Sequence, residues 1–132
     1  MSIDVEVSLG EFLDKLTILE IKSERISDPA KLDNINKELS KLRETWSSSP
    51  YSNATIDDEL DRLRDINKQL WDIEDEIRGK EAQQEFDDRF IKLARAVYFT
   101  NDKRSEIKRV LNTKLGSTLL EEKSYSDYSN AT

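Results

Sequence analysis

The chain has 132 residues, room for one hydrophobic core but not two, and carries a formal charge of −7 with neither cysteine nor histidine. An excess of acid gains nothing from phosphate attraction, so nucleic acid is not an expected partner. Disulfides and thiolate chemistry are excluded, and so are the commonest metal ligand and the usual general base near neutral pH.

Glycine occurs three times and proline twice, and charged residues make up 37% against 36% hydrophobic. That balance favours long two-sided helices over turn-rich sheets. Residues 2–7, Ser-Ile-Asp-Val-Glu-Val, alternate apolar with polar and read as a short extended arm able to pair with a symmetry mate. They contain no basic region or apolar run of a signal peptide, and no stretch of the chain approaches the roughly 18 to 20 apolar residues of a membrane span. A soluble, cytoplasmic protein without membrane contact is the expectation.

Ser8 stands three residues before Glu11, the capping-box spacing, and the first helix is expected from Leu9 to Ile26 with a seam of Leu9, Phe12, Leu16, Leu19 and Ile26. Ile18 and Ile21 project away from that seam. A helix apolar on two sides is central or lies at a subunit interface, so both are interface candidates for a two-fold homodimer. Ser27-Asp28-Pro29 starts the second helix, with Leu32, Ile35, Leu39, Leu42 and Trp46 in heptad register. Residues 47–55 form a loop. It contains Tyr-Ser-Asn-Ala-Thr, which recurs at 128–132.

The third helix starts near Thr55 or Asp57, carries Leu60, Leu63, Ile66, Leu70, Ile73 and Ile77, and breaks between Gln83 and Asp87. The fourth takes Phe86, Phe90, Leu93 and Val97. Thr100-Asn101-Asp102 admits either a new start or one helix reaching Leu115, with Gly116 as C-terminal cap. Residues 117–132 are a tail with two leucines and two tyrosines available to dock and a loose end. The expected fold is an all-α antiparallel bundle of four to five helices, one domain over 1–132 with its arm at 1–8.

Projection at about 100° per residue sorts the acid-rich stretch Trp-Asp-Ile-Glu-Asp-Glu-Ile-Arg at 71–78. Asp72, Asp75 and Glu76 fall outside the apolar arc, whereas Glu74 falls inside it with Asn67 and Arg78. Glu20 lies inward on the first helix. A continuous last helix puts Asn101, Arg104, Lys108 and Asn112 on the line of Phe90 and Val97. Buried ions must be paired, because a bare one costs several kcal/mol.

Two readings follow. In one, Glu20 and Glu74 answer Arg78, Arg104 and Lys108 and fix helix register. In the other, Arg78, Arg104, Lys108, Asn67 and Asn101 line an inter-helical pocket for a small carboxylate or phosphate, with Glu74 as orienting group or acid/base. Mg²⁺ enters only under an enzymatic version of that second reading; otherwise no cofactor and no metal site is expected. Glu11-x-x-Asp14 and Glu85-x-x-Asp88 are similar to the pairs by which helical nucleotide pyrophosphatases hold Mg²⁺, but the partner Glu-x-x-Glu helix is missing.

Three blocks carry a broader likeness: Leu-Asp-Lys-Leu-Thr-Ile-Leu-Glu-Ile-Lys-Ser-Glu-Arg-Ile at 13–26, Leu-Trp-Asp-Ile-Glu-Asp-Glu-Ile-Arg at 70–78, and Ala-Arg-Ala-Val-Tyr-Phe-Thr-Asn-Asp-Lys-Arg-Ser-Glu-Ile-Lys-Arg at 94–109. With Glu-Glu-Lys-Ser-Tyr at 121–125 they resemble a family of short helical proteins of bacteria and bacteriophages, cyanobacterial viruses included, that has no assigned activity. The resemblance implies a bacterial or phage-infected cytoplasm and supplies no functional residues. The first helix is also similar in rhythm to that of helical chorismate mutases, but Glu11 and Asp14 stand where those have an arginine. The sequence therefore reads as a non-catalytic interaction or assembly module, self-associating and with a protein partner, and as an anion-binding protein or enzyme in the second place.

Overall fold

The computed structural model describes residues 1–128. Four helices account for the bundle: α1 (Leu9–Arg25), α2 (Pro29–Ser47), α3 (Asp57–Ala82) and α4 (Asp88–Leu115). Their starts are set locally. Ser8 Oγ accepts from the Glu11 N–H and Asp28 Oδ2 from the Lys31 N–H, with Pro29 in the first turn of α2. Asp87 caps α4 by accepting from the Phe90 N–H. The α3–α4 turn occupies residues 83–87, and Gln84 within it takes a left-handed φ of 58°. Thr100-Asn101-Asp102 does not interrupt α4, which ends on Gly116 with φ of 69°, a backbone state that glycine adopts without steric cost.

α1 is the axis of the fold: it packs against each of the other three helices, whereas α2 packs on α1 alone. One apolar core joins Leu13, Leu16 and Leu19 of α1 to Ile35 and Leu39 of α2, Leu63 and Ile66 of α3, and Ile107 and Leu111 of α4. The heptad seam of α2 is thus spent inside the chain. On the second apolar side of α1, Ile21 is 1% exposed and Ile18 is half-buried, in keeping with a helix that has three others packed against it.

At about 1.5 Å per residue, α3 and α4 span roughly 40 Å and α1 only about 25 Å. The end of α1 lies beside Asp72, which accepts from Arg25 at 2.7 Å, so the α3–α4 hairpin runs on beyond it. At the opposite end, residues 1–7 carry no regular structure and leave Ile3, Val5 and Val7 exposed. The tail folds back along α4: Glu121 meets Lys108, Glu122 meets Arg109, and Tyr128 donates to Asp102 while packing edge-on against Phe99 at 4.9 Å. The loose tail end and most of the second Tyr-Ser-Asn-Ala-Thr lie outside the described residues.

Candidate functional site

The polar interior of the bundle is built where α1, α3 and α4 meet, and α1 supplies its centre through Asp14, which is 1% exposed. Arg104 of α4 grips this carboxylate side-on, Nε donating to Oδ1 at 2.9 Å and Nη2 to Oδ2. Asn67 of α3 donates to the same Oδ1 at 2.9 Å and to Thr17 Oγ1 at 3.0 Å, and the Thr17 hydroxyl donates back to the Asp14 carbonyl at 2.8 Å. Three helices are thereby locked at one carboxylate. The charge-assisted bond to Asp14 holds the Arg104 guanidinium above its ordinary pKa, against the opposing pull of desolvation.

One turn further along α4, Lys108 is buried and donates to Glu11 at 2.5 Å and to Glu121 at 2.9 Å. Burial pushes its pKa down, but the two carboxylates outweigh burial and leave it raised; Glu121 is held below the ordinary carboxylate value by the hydrogen bond from Lys108. Beyond Lys108, the Gly10 N–H donates to Asn112 Oδ1 at 2.6 Å. There α1 and α4 touch backbone to backbone. A Cβ on Gly10 would come within 2.5 Å of the Lys108 carbonyl oxygen, so only glycine fits.

Beside the Asp14–Arg104 pair a groove of about 540 Å³ opens between α1, α3 and α4. Its apolar lining is Ile18, Ile21, Leu70 and Trp71, with Asn67, Asn101 and Arg104 at the polar end. Glu74, Asp75 and Arg78 are exposed along the outer lip. The Arg25 guanidinium lies over the Trp71 ring, 5.8 Å from its centroid, in a cation–π contact.

The family comparison can be set against this geometry. The model of a family of unknown function, DUF6165, matches residues 3–131. The chain belongs to this family. No curated protein and no solved structure matches it. The match covers α1, α3 and α4 entire, so the buried network and the groove both lie within the family's region. It assigns neither of them a role.

The site differs from its outline in the sequence. Glu74 and Arg78 do not face inward; they form an exposed pair at 3.1 Å with side chains 48% and 81% exposed. Glu20 is half-buried and answers Arg64 at 3.3 Å, not Arg78, Arg104 or Lys108. The carboxylates that do answer the interior cations are Asp14, Glu11 and Glu121. Asn67 and Lys108 are buried, and Asn101 is half-buried, with its Oδ1 3.5 Å from Arg104 Nη1. Glu11 and Asp14 face two different cations and do not converge on a common point between them. Among the described residues no three carboxylates gather into a metal-binding group, and no helix is long and apolar enough to cross a membrane.

Asp14 falls outside the inward set expected from the sequence because the inner stripe Gly10, Asp14, Thr17, Ile21 is small or polar at three of four positions. A search for hydrophobic seams passes over it. Its signal in the sequence is helical spacing of four, three and four around a glycine.

Proposed function

We propose that the protein is a non-catalytic interaction module that takes an apolar segment of a partner protein in the groove between α1, α3 and α4. The observation that carries this reading is the groove itself: a volume in the range of ligand sites, an apolar lining that includes a half-buried tryptophan, and a rim of charges of both signs. A partner segment that buries Ile18, Leu70 and Trp71 gains about 25 cal/mol per Å² of apolar surface covered, and the rim supplies register. Arg104 is gripped by Asp14 and Lys108 is held between two carboxylates, so the interior cations support helix register in preference to a polyanionic substrate. Self-association belongs to the same proposal, with the exposed Ile3, Val5 and Val7 of the arm as its surface.

A photoreactive amino acid at exposed Glu74, on the rim, tests the reading in cells that express the protein natively; exposed Lys41 on α2 is the control. The expected result is one discrete adduct from position 74 that Ile18→Glu abolishes, and none from position 41. Equal labelling from both positions, or an adduct indifferent to Ile18→Glu, would refute it.

A further inference from the structure

The tail is tied to α4 at separated points. Gly116 turns the chain out of the helix, and Ser117 fixes the turn: its N–H donates to the Asn112 carbonyl at 2.8 Å and its Oγ accepts from the Leu9 N–H at 3.3 Å. Beyond that pivot Glu121 accepts from Lys108 and Glu122 from Arg109, and Tyr128 donates to Asp102 and packs on Tyr98 and Phe99. From Glu121 to Tyr128 seven residues of chain could reach about 24 Å, yet their partners Lys108 and Asp102 are six residues apart on α4, about 9 Å. The slack bows outward, and a cavity of about 860 Å³ lies between it and Val97, Asn101 and Ser105 of α4.

The core of the bundle is complete without the tail. None of residues 117–128 belongs to it, and Leu119, Leu120 and Tyr125 stay 40%, 47% and 77% exposed. The Glu122–Arg109 pair is exposed on both sides, the kind of ion pair that contributes little. Lys108, by contrast, depends on the tail for its cover. Its side chain is 9% exposed, bonded to Glu121, and shares a cavity of about 290 Å³ with Leu120 and Glu121. With the tail lifted, Lys108 keeps Glu11 and exchanges Glu121 for water, so no charge is left buried and unpaired. Few buried apolar contacts and exposed polar ones are the marks of a segment that opens locally.

We propose that residues 118–128 are a detachable strap, which lifts off α4 while the four helices stay folded and whose release turns Lys108 from a covered residue into an accessible surface cation. In the closed state the acidic pair of the chain itself, Glu121 and Glu122, occupies Lys108 and Arg109. In the open state that stretch of α4 is free to meet solvent.

Acetylation by a water-soluble N-hydroxysuccinimide ester, read lysine by lysine by mass spectrometry in the full chain, tests this, with exposed Lys41 as reference. Labelling is run from zero urea to just below the unfolding transition. Lys108 should react at least tenfold more slowly than Lys41, at a ratio nearly constant with urea, because opening a strap exposes little surface. A Lys108 rate that climbs with the full m-value of unfolding would mean that it is reached only through the unfolded chain, and would overturn the proposal. So would a rate equal to that of Lys41, which would mean that nothing covers it. In Arg109→Cys/Glu122→Cys, whose two thiols are the only ones in the chain, a short bismaleimide pins the strap. Pinning should slow Lys108 at least tenfold further and leave Lys41 unchanged. Equal labelling of Lys108 before and after pinning would show that it is reached by another route, and the strap would have no part in its exposure.

Discussion

The two glycines that lie inside helices should respond to alanine with opposite signs. Gly79 stands near the end of α3 with no neighbouring atom within 4 Å of the Cβ it would gain, so Gly79→Ala adds helix propensity at no steric cost. The expected gain is about 0.5–1 kcal/mol. Gly10→Ala adds the same propensity but places a methyl 2.5 Å from the Lys108 carbonyl oxygen and 3.0 Å from Asn112 Oδ1. The first contact is about 0.9 Å inside the 3.4 Å at which ordinary packing begins, and its partner is backbone held within α4. α1 must therefore retreat from α4, lengthening the Gly10–Asn112 hydrogen bond as it goes. Overpacking of this kind costs about 1–3 kcal/mol, which exceeds the propensity gain, and a weakened buried hydrogen bond adds about 1 kcal/mol. In a chain of this size 1 kcal/mol corresponds to about 3–5 °C. Thermal and urea unfolding followed by circular dichroism should show Gly79→Ala melting a few degrees above the wild type and Gly10→Ala about 5–10 °C below it, with unchanged m-values. A neutral or stabilising Gly10→Ala would mean that α1 and α4 do not meet at this distance, and the geometry of the whole polar interior would fall with it.

Asp14→Asn leaves Arg104 buried against a neutral group; because Arg104 keeps partial exposure the loss should be at the low end of a broken buried pair, about 2–3 kcal/mol, and the double change with Arg104→Gln should cost less than the two singles summed. Urea titration of the four proteins measures this, and strict additivity would count against a direct pair. Glu74→Leu, on an exposed pair, should leave the melting temperature within about 2 °C of the wild type. Glu121 is depressed by Lys108, so its contribution to tail docking is complete above the ordinary carboxylate value of 4.5 and is lost as pH falls through the lowered one. Contacts of Tyr128 with Phe99, followed by NMR, should fade over that acid range and become insensitive to pH there in Glu121→Gln. The hydrogen bond to Asp102 pushes the Tyr128 phenol up to about 12, so its share of tail docking is complete below the ordinary 10.0 and is lost as pH rises through about 12. Asp102→Asn should return the phenol towards 10.0 in an absorbance titration.

The helices were legible because their boundaries are chemical. A serine cap, an Asp-Pro start and a glycine stop each satisfy or remove particular backbone groups, and the all-α bundle follows from the seams between them. The interior was harder to read. Projection tells which way a side chain leaves its helix but not whether another helix waits there. Glu74 leaves α3 on the same side as Asn67, yet α1 ends beside Asp72, so Asn67 meets Asp14 while Glu74 meets water. Asp14 was illegible for the complementary reason: its helix packs against three others, so even a polar stripe that faces them is buried. The groove depends on where the end of α1 falls along α3, and no pattern within either helix records that alignment.

The bonds that close the interior join residues far apart along the chain: 90 positions between Asp14 and Arg104, 97 between Glu11 and Lys108, and 102 between Gly10 and Asn112. The α3–α4 hairpin, by contrast, closes through a five-residue turn and long neighbouring helices. Loop-closure entropy favours the hairpin as the earlier event and the docking of α1 as the later one. When α1 arrives, a slip of one helical turn towards Asn101 would strand the Asp14 carboxylate, and a slip the other way would set Asp14 against Lys108 and leave Arg104 without its carboxylate. Such a state is several kcal/mol uphill and reopens. The polar interior thus acts as a proofreading step in assembly, admitting the one alignment of α1 in which every charge finds its partner.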